Sequence, residues 1–548
     1  MLHSILGFFS DLVFWRNPIF IRYCRAKLRP KGFLAWSFAV LLLTGFIFSM
    51  VYLLPQREND MTRLEAARLT LVPLFVIQCA ILMFKGSFSV ASGVTREGME
   101  GVLDYQRLTP LSPVQKIVGY LFGLPVLDYC LFLLTLPFMA FTIIKGQIPL
   151  DLMVSLYSVF CTSVLLYHMT AFMAGIVVTR RFLAGFISQA LMVVLYFVLP
   201  NMTGLGYVFF EYLTVRPVVY NEMTRVFPED ARPLLGVDHV DFFQFDFSVV
   251  AFSLVIQSLL FFVFAVVVYR KWRQQTLHFL GKSFTVFVYA GIMIALVGSM
   301  LPLIENGRIF PSQATRNYFD IDQSRYISAE EAALIPGLFG ILTLILAMIM
   351  VGQMTPSRDK QMKGWRRAFK YGRKRIAFDD DASSSLWHTL MIVIIGAIGW
   401  CVFVRFLHAS HWYEHWALGQ YYWVCVTLAL GIPLIYYQMA LESGGWRSGF
   451  ILIMLFWAIP LFLGIVLMAI SDYWINAATY IIMLSGFALP YFAVQAGIEP
   501  GVVFGNPEAK NAFFHVLILY GALFPILYAK WREHHKSIRN QLLEKNTP

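Results

Sequence analysis

The sequence predicts an all-α, polytopic integral membrane protein, and three observations predict it. Of its 548 residues 58% are hydrophobic and only 14% charged, where a soluble domain carries about 25% charged residues; mean hydropathy is +0.66. Apolar runs long enough to cross a bilayer, about 20 residues each, recur along the whole chain. Basic residues gather in alternate short loops, as they do where loops face the cytoplasm. The formal net charge of +11 therefore reads as cytoplasmic loop charge and not as a nucleic-acid surface. The six cysteines, Cys24, Cys79, Cys130, Cys161, Cys401 and Cys425, stand singly, so no disulfide framework or cysteine metal site is expected. The N-terminus lacks the compact apolar core and small-residue cleavage site of a signal peptide.

Residues 1–32 form the first element. Arg22, Arg25 and Arg29 recur at near-helical spacing against Ile19, Phe20, Tyr23 and Leu28, a basic amphipathic helix suited to the headgroup interface. Six spans are then expected within 33–270, at about 33–54, 69–93, 117–143, 151–178, 182–200 and 247–269. The first 32 residues hold six basic residues and one acid, Asp11, and both Thr179-Arg180-Arg181 and Arg270-Lys271-Trp272-Arg273 are basic without acids. The linkers 55–68, 144–150 and 201–246 are acidic or nearly neutral. This asymmetry places the N-terminus in the cytoplasm. The 201–246 linker keeps Tyr207, Phe209, Phe210 and Tyr212, too apolar for a free loop; it reads as helices dipping into the outer leaflet or as a folded external loop.

The second half, 271–548, has spans at about 284–304 and 333–354. The loop 355–386 that follows is the most basic of the chain, with Arg358, Lys360, Lys363, Arg366, Arg367, Lys370, Arg373, Lys374 and Arg375; such clusters anchor topology and anionic headgroups. Asp379-Asp380-Asp381 and Ser383–Ser385 then start the next helix, where carboxylates suit the helix dipole. Further apolar segments lie at about 387–407, 418–440, 449–470, 474–497 and 511–529. Five crossings there would put the basic tail 530–548 outside. We therefore expect 474–497 to be a re-entrant pair broken at Gly486 and Pro490, giving twelve crossings, with thirteen as the alternative. Tyr528-Ala529-Lys530-Trp531-Arg532 echoes Tyr269-Arg270-Lys271-Trp272-Arg273, a short hint of two related halves.

Between the second and third spans lies Thr95–Tyr120, TREGMEGVLDYQRLTPLSPVQKIVGY. Arg96, Glu97, Glu100 and Asp104 alternate in charge, and Leu103, Leu108 and Leu111 give a sparse apolar side. In Thr109-Pro110-Leu111-Ser112-Pro113 a turn is followed by a helix start, with Ser112 as N-cap and Pro113 at the first helical position. The pattern predicts a short amphipathic helix, a tight turn, and a helix entering the next span.

These residues carry a resemblance. The run Arg96-Glu97, Glu100-Gly101-Val102-Leu103-Asp104, Leu108-Thr109-Pro110-Leu111-Ser112-Pro113 and Ile117-Val118-Gly119 resembles the ABC type 2 transporter permeases, the membrane subunits of ABC exporters. Val102 stands where that family usually has Thr, and Tyr120 where it usually has Lys. The resemblance implies that segment 95–116 sits on ATPase subunits and couples their closure to the spans through Glu97, Glu100, Gly101, Asp104, Thr109, Pro110 and Ser112. It also implies an N-terminal elbow helix, re-entrant helices between the fifth and sixth spans, and ATP and Mg bound by the partner ATPase, with no cofactor in this chain. A second permease copy or paralogue and membrane lipids are the other expected partners, and the cell membrane the expected location.

Other constellations are weaker. Gly281-Lys282-Ser283 lacks the earlier glycine of a phosphate-binding loop, Thr276 standing there, so this chain is expected to hydrolyse no ATP itself. His408, His411 and His415 fall on one helical face, as zinc or copper ligands can, yet Trp412, Tyr413 and Trp416 beside them read as an interfacial aromatic belt. Lys85 and Asp128 lie at similar depths in the second and third spans, and ionisable residues there are costly enough to need a partner; they are expected to pair, either to tie two spans or to contact substrate. Arg405 and Glu442 sit at span ends, where they can snorkel. The alternatives to an exporter subunit are a membrane enzyme acting on a lipid-linked substrate, for which no catalytic motif is found, and an ion-coupled secondary transporter, which would use the Lys85–Asp128 pair.

Overall fold

Within long apolar runs the backbone can satisfy its polar groups only by forming helices, and the described residues are helical almost throughout. The computed structural model describes residues 14–58, 62–177, 181–201, 208–227, 239–274, 277–305, 329–373, 375–409, 417–419, 421–499 and 507–544. Among these, ten helices are long and apolar enough to cross a membrane. The chain divides into two units, with the main boundary between Leu277 and His278.

In the first unit, α1 (Pro18–Lys27) is started by Asn17, whose side chain accepts from the Ile19 N–H at 2.9 Å. Next come α2 (Pro30–Glu58) and α3, a continuous helix over Arg63–Met99. A capping box of Thr62 and Glu65 opens α3, and a π-helical turn at Ala80–Gly86 interrupts its regular pitch. After α4 (Val102–Leu108) and α5 (Pro113–Gly123), α6 (Val126–Lys145) and α7 (Leu150–Val177) follow. The unit is completed by α8 (Arg181–Val193), α9 (Arg216–Val226) and α10 (Val249–Arg273). Helix α7 packs against both α3 and α10, α8 lies on α3, and α2 lies on α6. The span expected at 69–93 is longer at both ends, so Arg96 and Glu97 close α3 and are not part of the separate short helix.

The fifth expected span is shorter than the rest, an apolar helix over Gly185–Asn201. In the 201–246 linker, Phe209, Phe210 and Tyr212 are buried. Arg225 on α9 bridges Glu222 (3.0 Å) and Asp151 at the start of α7 (2.7 Å). Tyr207, Thr179 and Arg180 lie outside the described residues. A short strand β1 (His239–Phe242) pairs with β2 (Phe245–Ser248).

The second unit contains α11 (Lys282–Glu305), α12 (Ala329–Met354), α13 (Arg358–Lys370), α14 (Leu386–Ala409) and α15 (Tyr422–Ile453). After these come α16 (Ile459–Ile470), α17 (Ile475–Met483), α18 (Leu489–Gly497) and α19 (Pro507–Glu544). Helix α14 packs between α11 and α15. A two-residue ladder pairs β3 (Ala417–Leu418) with β4 (Ile498–Glu499). The segments expected at 418–440 and 449–470 form one long apolar run, Tyr422–Ile470, broken by Gly445 at φ 68°, a backbone conformation that glycine adopts without strain. Residues 474–497 do break in two: α17 and α18 have nine residues each, about 14 Å apiece at 1.5 Å per residue. The tail continues as helix to Glu544.

Three expectations for this unit are corrected. The basic loop 355–386 is not merely a loop: α13 occupies its first half and buries Gln361, Gly364 and Ala368. Asp379 caps a helix, but a distant one. It accepts from the Ser283 N–H (3.1 Å) and hydroxyl (2.6 Å) at the start of α11, while α14 begins only at Leu386. Glu442 does not snorkel. Its side chain is fully buried and accepts from Gln361 Nε2 (2.8 Å), Ser384 Oγ (3.0 Å), Trp531 Nε1 (2.9 Å) and Gln438, with His535 Nε2 at 3.3 Å. A buried carboxylate stays only where such donors replace water. Here they come from α13, α15, α19 and the approach to α14. Lys374 and the loop 306–328 lie outside the described residues.

Candidate functional site

The site is built around the end of α3. After Met99 the helix cannot simply continue, because Gly101 takes φ +71°, and α4 starts in a new direction. At the C-terminus of α4, Thr109 Oγ1 donates back to the Gln106 carbonyl (2.7 Å). Lys116 Nζ, drawn in and lowered in pKa by burial, donates to the Thr109 carbonyl (3.1 Å). Pro110 leads into the next start, where Ser112 and Gln115 form a reciprocal capping box at 3.1 and 3.2 Å. The expected helix–turn–capped helix is present.

Glu97 is the node. Its carboxylate accepts from Arg22 Nη2 (2.5 Å) and the Tyr23 hydroxyl (2.5 Å), both on α1, and from the Tyr120 hydroxyl on α5. Burial, and after it the Glu97 charge, hold the Tyr23 hydroxyl well above the usual tyrosine range, so it remains a donor. Glycines let α1 come this close to α5. A Cβ on Gly119 would stand 2.7 Å from Asn17 Oδ1, and one on Gly123 2.7 Å from the Tyr23 ring; Asn17 Nδ2 donates to the Gln115 carbonyl at 2.5 Å.

Two further ties hold the segment. Thr95 Oγ1 donates to the Gly175 carbonyl of α7 (2.8 Å), and Arg107 Nε to the Trp272 carbonyl of α10 (3.1 Å). The Trp272 ring lies 5.1 Å from the Tyr120 ring and 6.0 Å from that of Phe172. Helices α1, α5, α7 and α10 therefore converge on one short stretch.

The expected site residues fall into two sets. Glu100, Gly101, Asp104 and Pro110 face outward: Glu100 pairs with Arg96 at 2.8 Å and Asp104 with Arg107, leaving the Asp104 side chain 68% exposed. Glu97, by contrast, is 13% exposed, and Thr109 and Ser112 spend their hydroxyls on local caps. The apolar side is also corrected. Leu103 is buried, but Leu108 is 85% exposed and Tyr105 is exposed beside it, because the turn at Gly101 rotates α4 so that only one of its leucines meets the bundle. The outward face is thus two acids flanking Tyr105 and Leu108. Tyr105, and the supporting roles of Tyr23, Tyr120 and Trp272, were not read from the sequence; the Gly119-xxx-Gly123 spacing, a close-approach signature in packed helices, was the available signal.

A second polar group lies deeper in the same unit. Lys85 and Asp128 pair, as expected from the sequence, and the Lys85 ammonium also sits 4.8 Å from the centre of the Trp36 ring on α2. Lys85 is on the π-helical turn, whose altered hydrogen bonding leaves carbonyls for outside donors. His168 Nε2 is 2.9 Å from the Leu82 carbonyl and Gln189 Nε2 donates to that of Phe84 at 3.0 Å. Of the histidine cluster, His408 lies in the last turn of α14, and His411 and His415 lie outside the described residues. Among the described residues no group of three His, Cys, Asp or Glu could hold a metal ion. Compared with protein-family models, curated proteins and solved structures, the chain matches none.

Proposed function

We propose that this protein is the transmembrane permease subunit of an ATP-driven ABC exporter, moving its substrate across the cell membrane when coupled to a separate ATPase subunit that binds ATP and Mg. The observation that supports it most is α4: an exposed acidic and apolar knob, tied to α10 by Arg107 and joined through Gly101 to the end of α3, where Thr95 and Glu97 hold α7, α1 and α5. A partner pressing on α4 cannot displace it without displacing those helices, which is the mechanical requirement for coupling a motor to spans. Glu100, Asp104, Tyr105 and Leu108 make the contact in this reading; Glu97, Gly101, Thr109, Pro110 and Ser112 fix its geometry.

The same reading places α1 as an elbow helix at the cytoplasmic interface, with its arginines toward headgroups. It counts twelve crossings by taking Tyr422–Ile470 as two and Gly185–Asn201 as one, with α17 and α18 as a re-entrant pair. The N-terminus and α4 are cytoplasmic. A second permease copy or paralogue completes the pathway. An ion-coupled secondary transporter is the second reading, favoured by the Lys85–Asp128 pair, and it needs no ATPase.

Affinity purification of the tagged protein in mild detergent tests the proposal. The expected result is a stoichiometric ATPase subunit that co-elutes with wild type and is lost from the double variant E100K/D104K. Elution of a folded, monodisperse protein alone, with no ATPase that can be reconstituted onto it, would remove the exporter reading in favour of the ion-coupled one.

A further inference from the structure

The Lys85–Asp128 pair is asymmetric. Asp128 has a side chain only 1% exposed, whereas that of Lys85 is 30% exposed, although both stand in helices long and apolar enough to cross a membrane. An ammonium has three donors. Asp128 takes one, and the half-open Trp36 ring covers one side at 4.8 Å. A pair whose sole task was to tie α3 to α6 would be best sealed on both partners, since each exposed or solvated face weakens the tie and each desolvated one must be repaid. Here the acid is sealed and the base is open. The surroundings also hold Lys85 in place: the π-helical turn that carries it is braced by His168 and Gln189 on its carbonyls. A Cβ on Gly86 would stand 2.6 Å from His168 Nε2, so only glycine seats that histidine.

We propose that Lys85 and Trp36 form a binding site for one anionic group, a phosphate or carboxylate, borne by an amphiphile whose alkyl chain lies along the apolar surface of α2. The reachable member of the pair is the cation, so the ligand is an anion and not a cation. Trp36 supplies an amphipathic ring beside the charge, the type of side chain that suits the junction of headgroup and hydrocarbon. Beyond Trp36, Leu43 and Met50 follow at seven-residue spacing on the same face of α2 and are exposed, and they give an alkyl chain an apolar track. Asp128 is the internal competitor: it holds the ammonium when no ligand is present and repels a second anion when one arrives. As a statement about cargo this rests on the transport reading; as a binding site it stands on the isolated chain.

The test uses the purified full-length protein in non-ionic detergent, without any ATPase, so its failure is separate from failure of the exporter assignment. The probe is a photoreactive dodecyl phosphate, compared with the same chain bearing a trimethylammonium or a neutral sugar headgroup. The phosphate probe is expected to label peptides containing Trp36 or Lys85, at least about tenfold above the other two. K85M/D128N, which removes both charges together, should lose that labelling, K85R should keep it, and D128N should label severalfold more strongly than wild type. Competition by millimolar inorganic phosphate would assign the site to a free anion, and competition only by unlabelled alkyl phosphate to an amphiphile. Equal labelling by the trimethylammonium probe, or undiminished labelling of K85M/D128N, would overturn the proposal. If that double variant does not fold, D128N decides, since labelling unchanged or reduced means the aspartate competes with nothing.

Discussion

The Tyr23 hydroxyl and the Glu97 carboxylate, 74 residues apart in sequence, meet at 2.5 Å. That bond joins α1 to the end of α3, and it leaves Glu97 facing the protein. Substituting Glu97 by Ala removes one acceptor from three donors, Arg22, Tyr23 and Tyr120, and is expected to cost about 2–4 kcal/mol. Tyr23→Phe removes one bond and should cost about 1 kcal/mol. Thermal unfolding of the detergent-solubilised protein reads both. Equal melting of E97A and wild type would mean that the three donors are satisfied without Glu97.

The outward face of α4 should behave in the opposite way. Tyr105→Ser and Leu108→Ser remove no internal contact of consequence and should leave stability within about 0.5 kcal/mol. If α4 is a docking surface, each should weaken partner retention about tenfold, as loss of an aromatic or apolar anchor does. A titration of the partner subunit against each variant separates the two effects, and unchanged retention would exclude this face.

Gly101 stands at φ +71°, and a Cβ added there would meet nothing within 4 Å, so its requirement is for backbone conformation alone. Gly101→Ala is expected to cost about 1–2 kcal/mol, Gly101→Asn less because asparagine tolerates that region, and Gly101→Val most. The ranking is the check: a cost that followed side-chain volume alone, with Asn worse than Ala, would point to crowding and not to backbone strain.

In the second unit, Glu442 gathers Gln361, Ser384, Gln438, Trp531 and His535. Glu442→Ala is expected to destabilise by about 3–5 kcal/mol, as loss of one partner from a buried charged network does, and to loosen the end of α19. Limited proteolysis within 530–544 should therefore accelerate in E442A at a temperature where wild type resists. Equal cleavage rates would show that α19 is held by its apolar contacts.

His278 provides a pH signature. It is buried, and burial first, then the Lys360 charge, push its pKa down to about 4 from an ordinary 6.5. The unfolded chain then takes up a proton near pH 6.5 that the folded chain refuses until about pH 4. Stability therefore falls as pH drops through that window, with a limiting slope of about 1.4 kcal/mol per pH unit, and levels off below it for this group. His278→Asn should flatten the dependence of melting temperature on pH between 6.5 and 4; a slope equal to wild type would place the titration elsewhere.

What the sequence determined by itself is what depends on runs and local spacing. Helicity and the long apolar helices follow from composition, because an apolar run in lipid has no other way to pair its backbone. The capping box at Ser112 and Gln115, the turn at Pro110 and the break between α17 and α18 follow from residues within four positions of one another. Even Lys85 and Asp128 could be paired in advance, since two charges in neighbouring apolar helices cannot be left alone. Only the tertiary structure decided which side of a helix faces what. Glu97 and Asp104 are both acids in one short stretch, and nothing local says that the first turns inward to Tyr23 and Tyr120 while the second turns out. Leu103 and Leu108 look alike until Gly101 sets the direction of α4. Asp379 reads as the cap of its own helix, yet it caps one 96 residues earlier, and Glu442 at a helix end finds donors on four segments instead of water. Each of these depends on an approach between segments far apart in the chain, and such approaches are selected by the packing of whole helices, which no short window of sequence contains.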